Sequence, residues 1–177
     1  IDVESIYEVP SPLHREGLDQ VVGDQVNIWT REPVLDRWET IMEQIRNATD
    51  RVTIGIVGKY VDHTDAYKSL HEALLHGGLA HGVKANLRYI DSEDIEKQGA
   101  RALLDGVDGI LVPGGFGNRG TEGKIAAVRF ARESGVPFFG ICLGLQVAVI
   151  EFARHMCGLD NANSVEFDAD GRYPVIH

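Results

Sequence analysis

The sequence predicts an α/β fold, a doubly wound and mostly parallel sheet with helices on both faces. From residue 51 onwards, short apolar runs rich in β-branched residues alternate with longer stretches whose apolar residues recur every three or four positions. Each pair of segments is typical of a strand followed by a helix, and four such pairs follow one another. This series favours parallel strands joined by helical crossovers. Residues 1–50 follow a different pattern, so we predict a linker segment there and the α/β domain at residues 51–177.

Residues 1–50 are predicted to contain one clear amphipathic helix, from Pro33 to Asn47, with Pro33 in its first turn. Its apolar face is made of Leu35, Trp38, Ile41, Met42 and Ile45. Upstream, Pro10 and Pro12 stand between short apolar patches, which is typical of the end of a preceding domain.

The α/β domain is predicted to have four strands, at residues 52–57, 83–90, 107–112 and 136–141. The second alternates apolar and polar residues, which is typical of a strand near a sheet edge. The predicted helices run from Tyr67 to Gly78, from a cap at Ser92 through Ile95 and Leu103, over residues 122–133, and over residues 143–156.

Composition excludes several classes of protein. The 177 residues are 44% apolar and 25% charged, which is typical of an ordinary globular domain. The net charge of −10, without a run of Lys or Arg, argues against nucleic acid or an acidic membrane surface as a partner. No apolar run approaches the ~18 residues of a membrane span, and no Cys/His cluster has zinc spacing. We therefore predict neither a membrane-spanning helix nor a metal site. Cys142 and Cys157 lie too far apart on one predicted helix for a disulfide, which favours a reducing, cytoplasmic compartment.

Residues 136–146 carry the strongest functional signal in the chain. An apolar strand stops at Cys142, which has Gly140 and Gly144 on either side, and a helix follows. This is the cysteine form of a nucleophile elbow, where small flanking residues tolerate strained backbone and the helix N-terminus favours a thiolate. A lone cysteine in an apolar run is more often a packing residue. The flanking glycines favour the nucleophile.

A glycine-rich loop follows the preceding predicted strand, at residues 113–120. Such loops expose backbone amides that can bind an anion, although a plain tight loop is the alternative. The loop lacks the Lys-Ser/Thr ending of a P-loop, so an oxyanion hole is the better interpretation, with the amides of Gly115 and Leu143 as donors. Because carboxyl ends of parallel strands share one edge, the loop and Cys142 are predicted to form one site.

Residues 140–146 (Gly-Ile-Cys-Leu-Gly-Leu-Gln) and 113–117 (Pro-Gly-Gly-Phe-Gly) closely resemble the triad glutamine amidotransferases, whose fold is flavodoxin-like. Within that group the chain is similar to the C-terminal glutaminase domain of the CTP synthase family. The distinguishing stretches are residues 58–60, 65–69, 116–120 and 161–167. The resemblance covers nearly the whole chain, and residues 2–7 are similar to the segment where that family's synthetase domain ends.

The resemblance implies that Cys142 attacks the side-chain amide of L-glutamine, forms a γ-glutamyl thioester and releases ammonia. Gly115 and Leu143 match the oxyanion-hole positions of the family. The residues that the resemblance places against glutamine are Gly115, Phe116, Leu143, Gly144, Leu145, Gln146 and Glu166. Chemistry agrees, because Glu166 can pair with an α-ammonium group and Gln146 offers both a donor and an acceptor.

The resemblance also implies which components lie outside this domain. No cofactor is expected in the glutaminase domain itself. ATP and Mg²⁺ are expected in the synthetase domain of the same polypeptide, where the ammonia converts UTP to CTP. The full-length protein is expected to be a homotetramer, largely through that synthetase domain.

The chain departs from the family at the catalytic base. The family supplies a His, oriented by a Glu two residues later, near its C-terminus, and this chain has no such pair after Cys142. His14 and Glu16 have the spacing but lie in the leading segment, and His155 lies three to four turns beyond Cys142 on the same predicted helix. We therefore expect the chain to be truncated before the catalytic pair, to acylate poorly and to hydrolyse glutamine negligibly.

Two other interpretations remain at this stage. The elbow is also used by cysteine peptidases and hydratases of the wider flavodoxin-like superfamily, which have no reason to keep Gln146. A truncated, regulatory or purely structural domain without catalysis is the third.

Overall fold

A computed structural model of the chain describes residues 2–3, 5–29, 31–59 and 67–177. These residues form two compact units, one made of residues 1–50 with 76–84 and the other of residues 51–75 with 85–177. Within the described ranges, no helix combines the length and apolar character needed to cross a membrane.

The first unit contains more helix than the sequence pattern indicates. After a 3₁₀ turn at Ile6–Glu8 come α1 (Pro10–Arg15) and α2 (Leu18–Val26), neither of which we predicted as an element. Pro10 occupies the first helical turn. A backbone N–H at this position has no acceptor within the helix, so a proline there costs no hydrogen bond. Gly17, with a φ of 77°, separates the two helices by a residue in the left-handed region.

Helix α3 (Asp36–Asn47) begins three residues later than predicted, so the placement of Pro33 in its first turn is wrong. The carbonyl of Leu35 accepts the first helical hydrogen bonds, from the amides of Trp38 at 2.8 Å and Glu39 at 3.1 Å. Two carboxylates in the first turn, Asp36 and Glu39, stabilise a start at this point by interacting with the helix dipole.

The main sheet has four strands in the order β2-β1-β3-β4. They are β1 (Asp50–Gly58), β2 (Val83–Asp91), β3 (Gly109–Val112) and β4 (Phe138–Gly140). β3 is parallel to both neighbours, with Leu111 paired to Ile56 of β1 and to Phe139 of β4. The order confirms the predicted doubly wound class and places β2 at an edge, as its alternating pattern predicts.

The remaining helices are α4 (Lys68–Ala80), which the second unit shares with the first, and α5 (Ser92–Gln98), α6 (Ala100–Leu104), α7 (Thr121–Ser134) and α8 (Leu143–His155) of the second unit. The helix predicted after β2 is two helices, because Gly99 adopts a φ of 88° that interrupts it. The side chain of Asp91, not Ser92, caps α5 by accepting the Glu93 amide at 2.8 Å. Helix α4 continues past Gly77 and Gly78, since glycine weakens a helix without ending it.

The core lies where β1, β3 and the helices α5–α8 meet. Its fully buried members include Val57, Leu104, Ile110, Val112, Val147 and Ile150. Beyond α8, β5 (Asn163–Ser164) and β6 (Pro174–Ile176) form a separate parallel pair, which we did not predict, and Val175 and Ile176 pack on the core. This pair positions the segment that carries Glu166.

Candidate active site

Three neighbouring strands bring their carboxyl ends to one edge of the sheet. β1, β3 and β4 are adjacent and parallel. Lys59 follows β1, the glycine-rich loop 113–120 follows β3, and Cys142 follows β4. The predicted proximity of the loop and the cysteine is therefore a consequence of the strand order.

Cys142 has φ 53° and ψ −108°, a strained backbone for a residue with a side chain, and it is exposed. A Cβ atom on Gly140 would lie 2.4 Å from the carbonyl carbon of Gly144. A Cβ on Gly144 would lie 2.0 Å from the carbonyl oxygen of Val112. Both flanking positions therefore require glycine, because the start of α8 is pressed against the ends of β3 and β4.

Local hydrogen bonds hold the elbow in this conformation. The Ile141 amide donates to the Val112 carbonyl at 2.9 Å, which ties the elbow to β3. The Cys142 carbonyl accepts from the amides of Leu145 at 3.0 Å and Gln146 at 3.2 Å, so α8 begins directly after the cysteine. Cys142 thus directly precedes the first turn of α8, at the positive end of the helix dipole.

The glycine-rich loop contacts the elbow at the two predicted oxyanion donors. A Cβ on Gly114 would lie 3.5 Å from Cβ of Cys142, and a Cβ on Gly115 would lie 3.6 Å from Cδ2 of Leu143. Within the described part of the chain, the amides of Gly115 and Leu143 have no hydrogen-bond acceptor. An oxyanion hole requires free backbone N–H groups near the nucleophile, so these two amides are candidates for that role.

Two charged side chains hold the loop from opposite sides. The Lys59 ammonium donates to the carbonyls of Phe116 and Gly117, the second at 3.3 Å. Oε1 of Glu166 accepts the Gly117 amide at 2.9 Å, and the Glu166 amide donates to Oγ of Ser164 at 3.2 Å. The structure therefore places Glu166 at the loop. Sequence reasoning gave Lys59 no part in this site, although its position directly after a central strand was a usable signal.

The remaining residues predicted to contact substrate lie around the same edge. Gly144 is buried in the elbow and Gln146 is half-buried in the first turn of α8. The side chains of Phe116 and Leu145 are 81% and 60% exposed, so the site is open to solvent. Other apolar side chains of α8, its C-terminal cap and β4 are also exposed: Val149, Phe152, Met156 and Phe139.

The side chains of four described histidines contact groups other than Cys142. Nδ1 of His14 lies 2.7 Å from Asp19, so Glu16 is not its partner. His155 contacts Glu151, with Nδ1 3.2 Å from the carboxylate. His71 and His76 form hydrogen bonds to Tyr89 and Tyr7, and His63 lies outside the described residues.

A buried lysine lies near the loop. Lys124, in α7, is 2% exposed, and burial followed by repulsion from Lys59 lowers its pKa from 10.5 to about 8. Across the described ranges, no group of three or more His, Cys, Asp or Glu side chains is arranged to hold a metal ion.

The sequence model of the family "Glutamine amidotransferase class-I" matches residues 62–173. The CTP synthase of Syntrophus aciditrophicus (strain SB) is 60% identical over 175 residues, which are 99% of this chain and 32% of that protein. The CTP synthase of Geobacter metallireducens is 59% identical over 177 residues, covering 99% of this chain and 33% of that protein. The chain thus spans about a third of the length of these relatives.

Among solved structures, the chain is similar to the Trypanosoma brucei CTPS glutaminase domain with bound acivicin. The TM-score is 0.66 at 45% sequence identity, over 70% of this chain and 48% of that chain.

Proposed function

Because this chain belongs to the class I glutamine amidotransferase family, we propose that it hydrolyses L-glutamine with Cys142 as the nucleophile. One observation carries the proposal. An exposed cysteine with a φ of 53° stands at the start of α8, and the glycine-rich loop lies against it, with Gly115 next to the side chain of Leu143. This arrangement supports Cys142 as the nucleophile and the amides of Gly115 and Leu143 as oxyanion donors.

The proposed reaction has two halves. The Cys142 thiolate attacks the side-chain carbonyl carbon of glutamine, and the amides of Gly115 and Leu143 donate to the oxygen that becomes negative. The C–N bond then breaks, and the nitrogen leaves as ammonia after accepting a proton, which leaves a γ-glutamyl thioester. Water hydrolyses the thioester to glutamate and regenerates the thiol.

Substrate recognition is proposed for the residues around the elbow. The carboxylate of Glu166 pairs with the α-ammonium group, because one of its oxygens holds the loop and the other is available. The side-chain amide of Gln146, in the first turn of α8, donates a hydrogen bond to the substrate and accepts one from it. Phe116, Gly144 and Leu145 form the walls of the site.

The proton transfers need a base, and we propose that a residue outside these 177 supplies it. His155 lies 13 residues beyond Cys142 along α8, about 20 Å at 1.5 Å per residue. The other partners of the histidines given above support the same proposal. The 177 residues by themselves should therefore turn over glutamine very slowly.

The ammonia is proposed to be used by another part of the protein. The relatives named CTP synthase are about three times as long as this chain. We propose that ammonia reacts there with UTP in an ATP- and Mg²⁺-dependent step that gives CTP. The two free cysteines support a reducing compartment, the cytoplasm, as the place of action.

A chimaera provides the test. The chain replaces the matching residues of the Syntrophus aciditrophicus CTP synthase, and CTP formation is measured with glutamine and, separately, with ammonium chloride. Cys142→Ala should abolish the glutamine-dependent reaction and leave the ammonia-dependent one intact. Cys157→Ala, which removes the other exposed cysteine, is the matched control and should leave both unchanged.

The other interpretations predict different results. A non-catalytic domain gives a chimaera that uses ammonia but not glutamine, whether or not Cys142 is present. A cysteine peptidase gives the same result together with cleavage of peptide substrates that depends on Cys142. As a second readout, intact mass shows whether acivicin forms an adduct on the chain that Cys142→Ala removes.

A further inference from the structure

The peptide unit that joins Phe116 to Gly117 is held at both ends by charged side chains. Its carbonyl accepts from the Lys59 ammonium, and its N–H donates to the Glu166 carboxylate at 2.9 Å. Lys59 also donates to the next carbonyl, that of Gly117, at 3.3 Å. Hydrogen bonds to ionised groups are about twice as strong as neutral ones, so these contacts set the orientation of the peptide unit.

A loop of this composition needs such restraint. Gly114, Gly115 and Gly117 lie within four residues, and Gly117 has a φ of 75°. Glycine moves between conformations at little energetic cost, so the amides of a free loop would point in several directions. If the 116–117 peptide unit turned over, its carbonyl oxygen would face the negative charge of Glu166, and the loop would lose the contacts that restrain its backbone immediately after Gly115.

We propose that Lys59 is a positioning residue that fixes the glycine-rich loop through the carbonyls of Phe116 and Gly117, so that the Gly115 amide faces the developing oxyanion. The inference rests on the proposed glutaminase function. Lys59 acts through the loop, because its ammonium contacts these carbonyls. Cε of Lys59 would be 3.9 Å from a Cβ on Gly115, which places the lysine stem directly against the residue that it positions.

The backbone of Lys59 is itself well placed for this role. It follows Gly58, the last residue of β1, and β1 is paired with β3, which leads into the loop. A Cβ on Gly58 would lie 2.3 Å from Oη of Tyr67, so the tyrosine packs directly on the residue before the lysine. Packing on a central strand fixes the start of the side chain, and the two carbonyls fix its end.

The test uses the chimaera described above, with Lys59→Met, which keeps the stem and removes the donors. Loss of one oxyanion donor typically lowers kcat by 10²–10³, and a misdirected donor should lower it by about 10- to 100-fold. The KM for glutamine should change by less than about threefold, because the Glu166 carboxylate remains. Lys59→Arg should recover part of kcat, and Lys97→Met, which changes a lysine 67% exposed, is the matched control.

Two further measurements separate an effect on the loop from a general loss of structure. Ammonia-dependent CTP formation should be unchanged in Lys59→Met. Alkylation of Cys142 by iodoacetamide in the 177-residue chain should also keep its rate, because alkylation develops no oxyanion at the loop. A normal kcat with glutamine for Lys59→Met would overturn the inference, and so would a Lys59→Arg form as slow as Lys59→Met.

Failure of the proposed function gives a different result. If neither the chimaera nor any of its variants shows glutamine-dependent activity, the proposed function is refuted. The role of Lys59 at the loop is then tested by amide hydrogen exchange in the 177-residue chain. Exchange at Gly117 should be about tenfold faster or more in Lys59→Met than in Lys97→Met. Equal exchange at Gly117 in the two variants would overturn the positioning role without reference to catalysis.

Discussion

Replacing Lys124 by methionine should flatten the pH dependence of stability between about 8 and 10.5, the interval between the folded and ordinary pKa of this lysine. Lys124 is 2% exposed. Burial is the largest cause of its lowered pKa, followed by repulsion from Lys59, with Arg119 acting in the same direction and Asp91 and Glu96 opposing it. A fall in the pKa of Lys124 from 10.5 to about 8 corresponds to a free energy of roughly 3 kcal/mol, which disfavours the charged form in the folded state.

The sign follows from which state binds the proton. Below pH 8 the lysine is charged in both states, so the folded state carries the whole unfavourable free energy. Between about 8 and 10.5 the folded state releases the proton of Lys124 while the unfolded state keeps it. Stability therefore rises with pH in this interval, by about 3 kcal/mol in total from this one group.

Urea unfolding followed by circular dichroism, at intervals from pH 7 to 10.5, measures this contribution. The difference in unfolding free energy between wild type and Lys124→Met isolates Lys124, because all other titrating groups are shared. Lys97→Met, a change at an exposed lysine, should show a constant difference from wild type across the range. A difference for Lys124→Met that also stays constant to within about 1 kcal/mol would refute the electrostatic argument.

Further changes test the packing that supports the site, each by urea unfolding. Gly144→Ala should destabilise the protein by about 3 kcal/mol or more, because its Cβ would lie 2.0 Å from the Val112 carbonyl oxygen. Gly77→Ala should stabilise it by about 0.5–1 kcal/mol, since this residue of α4 has no atom within 4 Å of an added Cβ. Arg132→Met should destabilise it, because the Glu151 carboxylate, 2% exposed, loses a partner at 2.8 Å. A neutral result at Gly144 or Arg132, or destabilisation at Gly77, would contradict these reasons.

Several features of this protein are local and can be predicted from the sequence. The period of the apolar residues locates the four strands and the helices α7 and α8 to within a few residues, because burial of one face repeats with the geometry of each element. Gly140 and Gly144 around Cys142 indicate a tight turn, since only glycine tolerates such close contacts on both sides. Element boundaries are less certain, as the later start of α3 and the break at Gly99 show.

Other features depend on contacts between distant parts of the chain. The strand order, with β1 beside β3, brings Lys59 to a carbonyl 57 residues later, and the β5–β6 pair brings Glu166 back to an amide 49 residues earlier. No local pattern specifies these pairs, because each depends on where packing places two separate segments. The sequence alone therefore determined the family resemblance, the strand–helix series and the cysteine turn. Only the tertiary structure decided which charged groups hold the glycine-rich loop, since hydrogen-bond geometry exists only after the strands have been ordered.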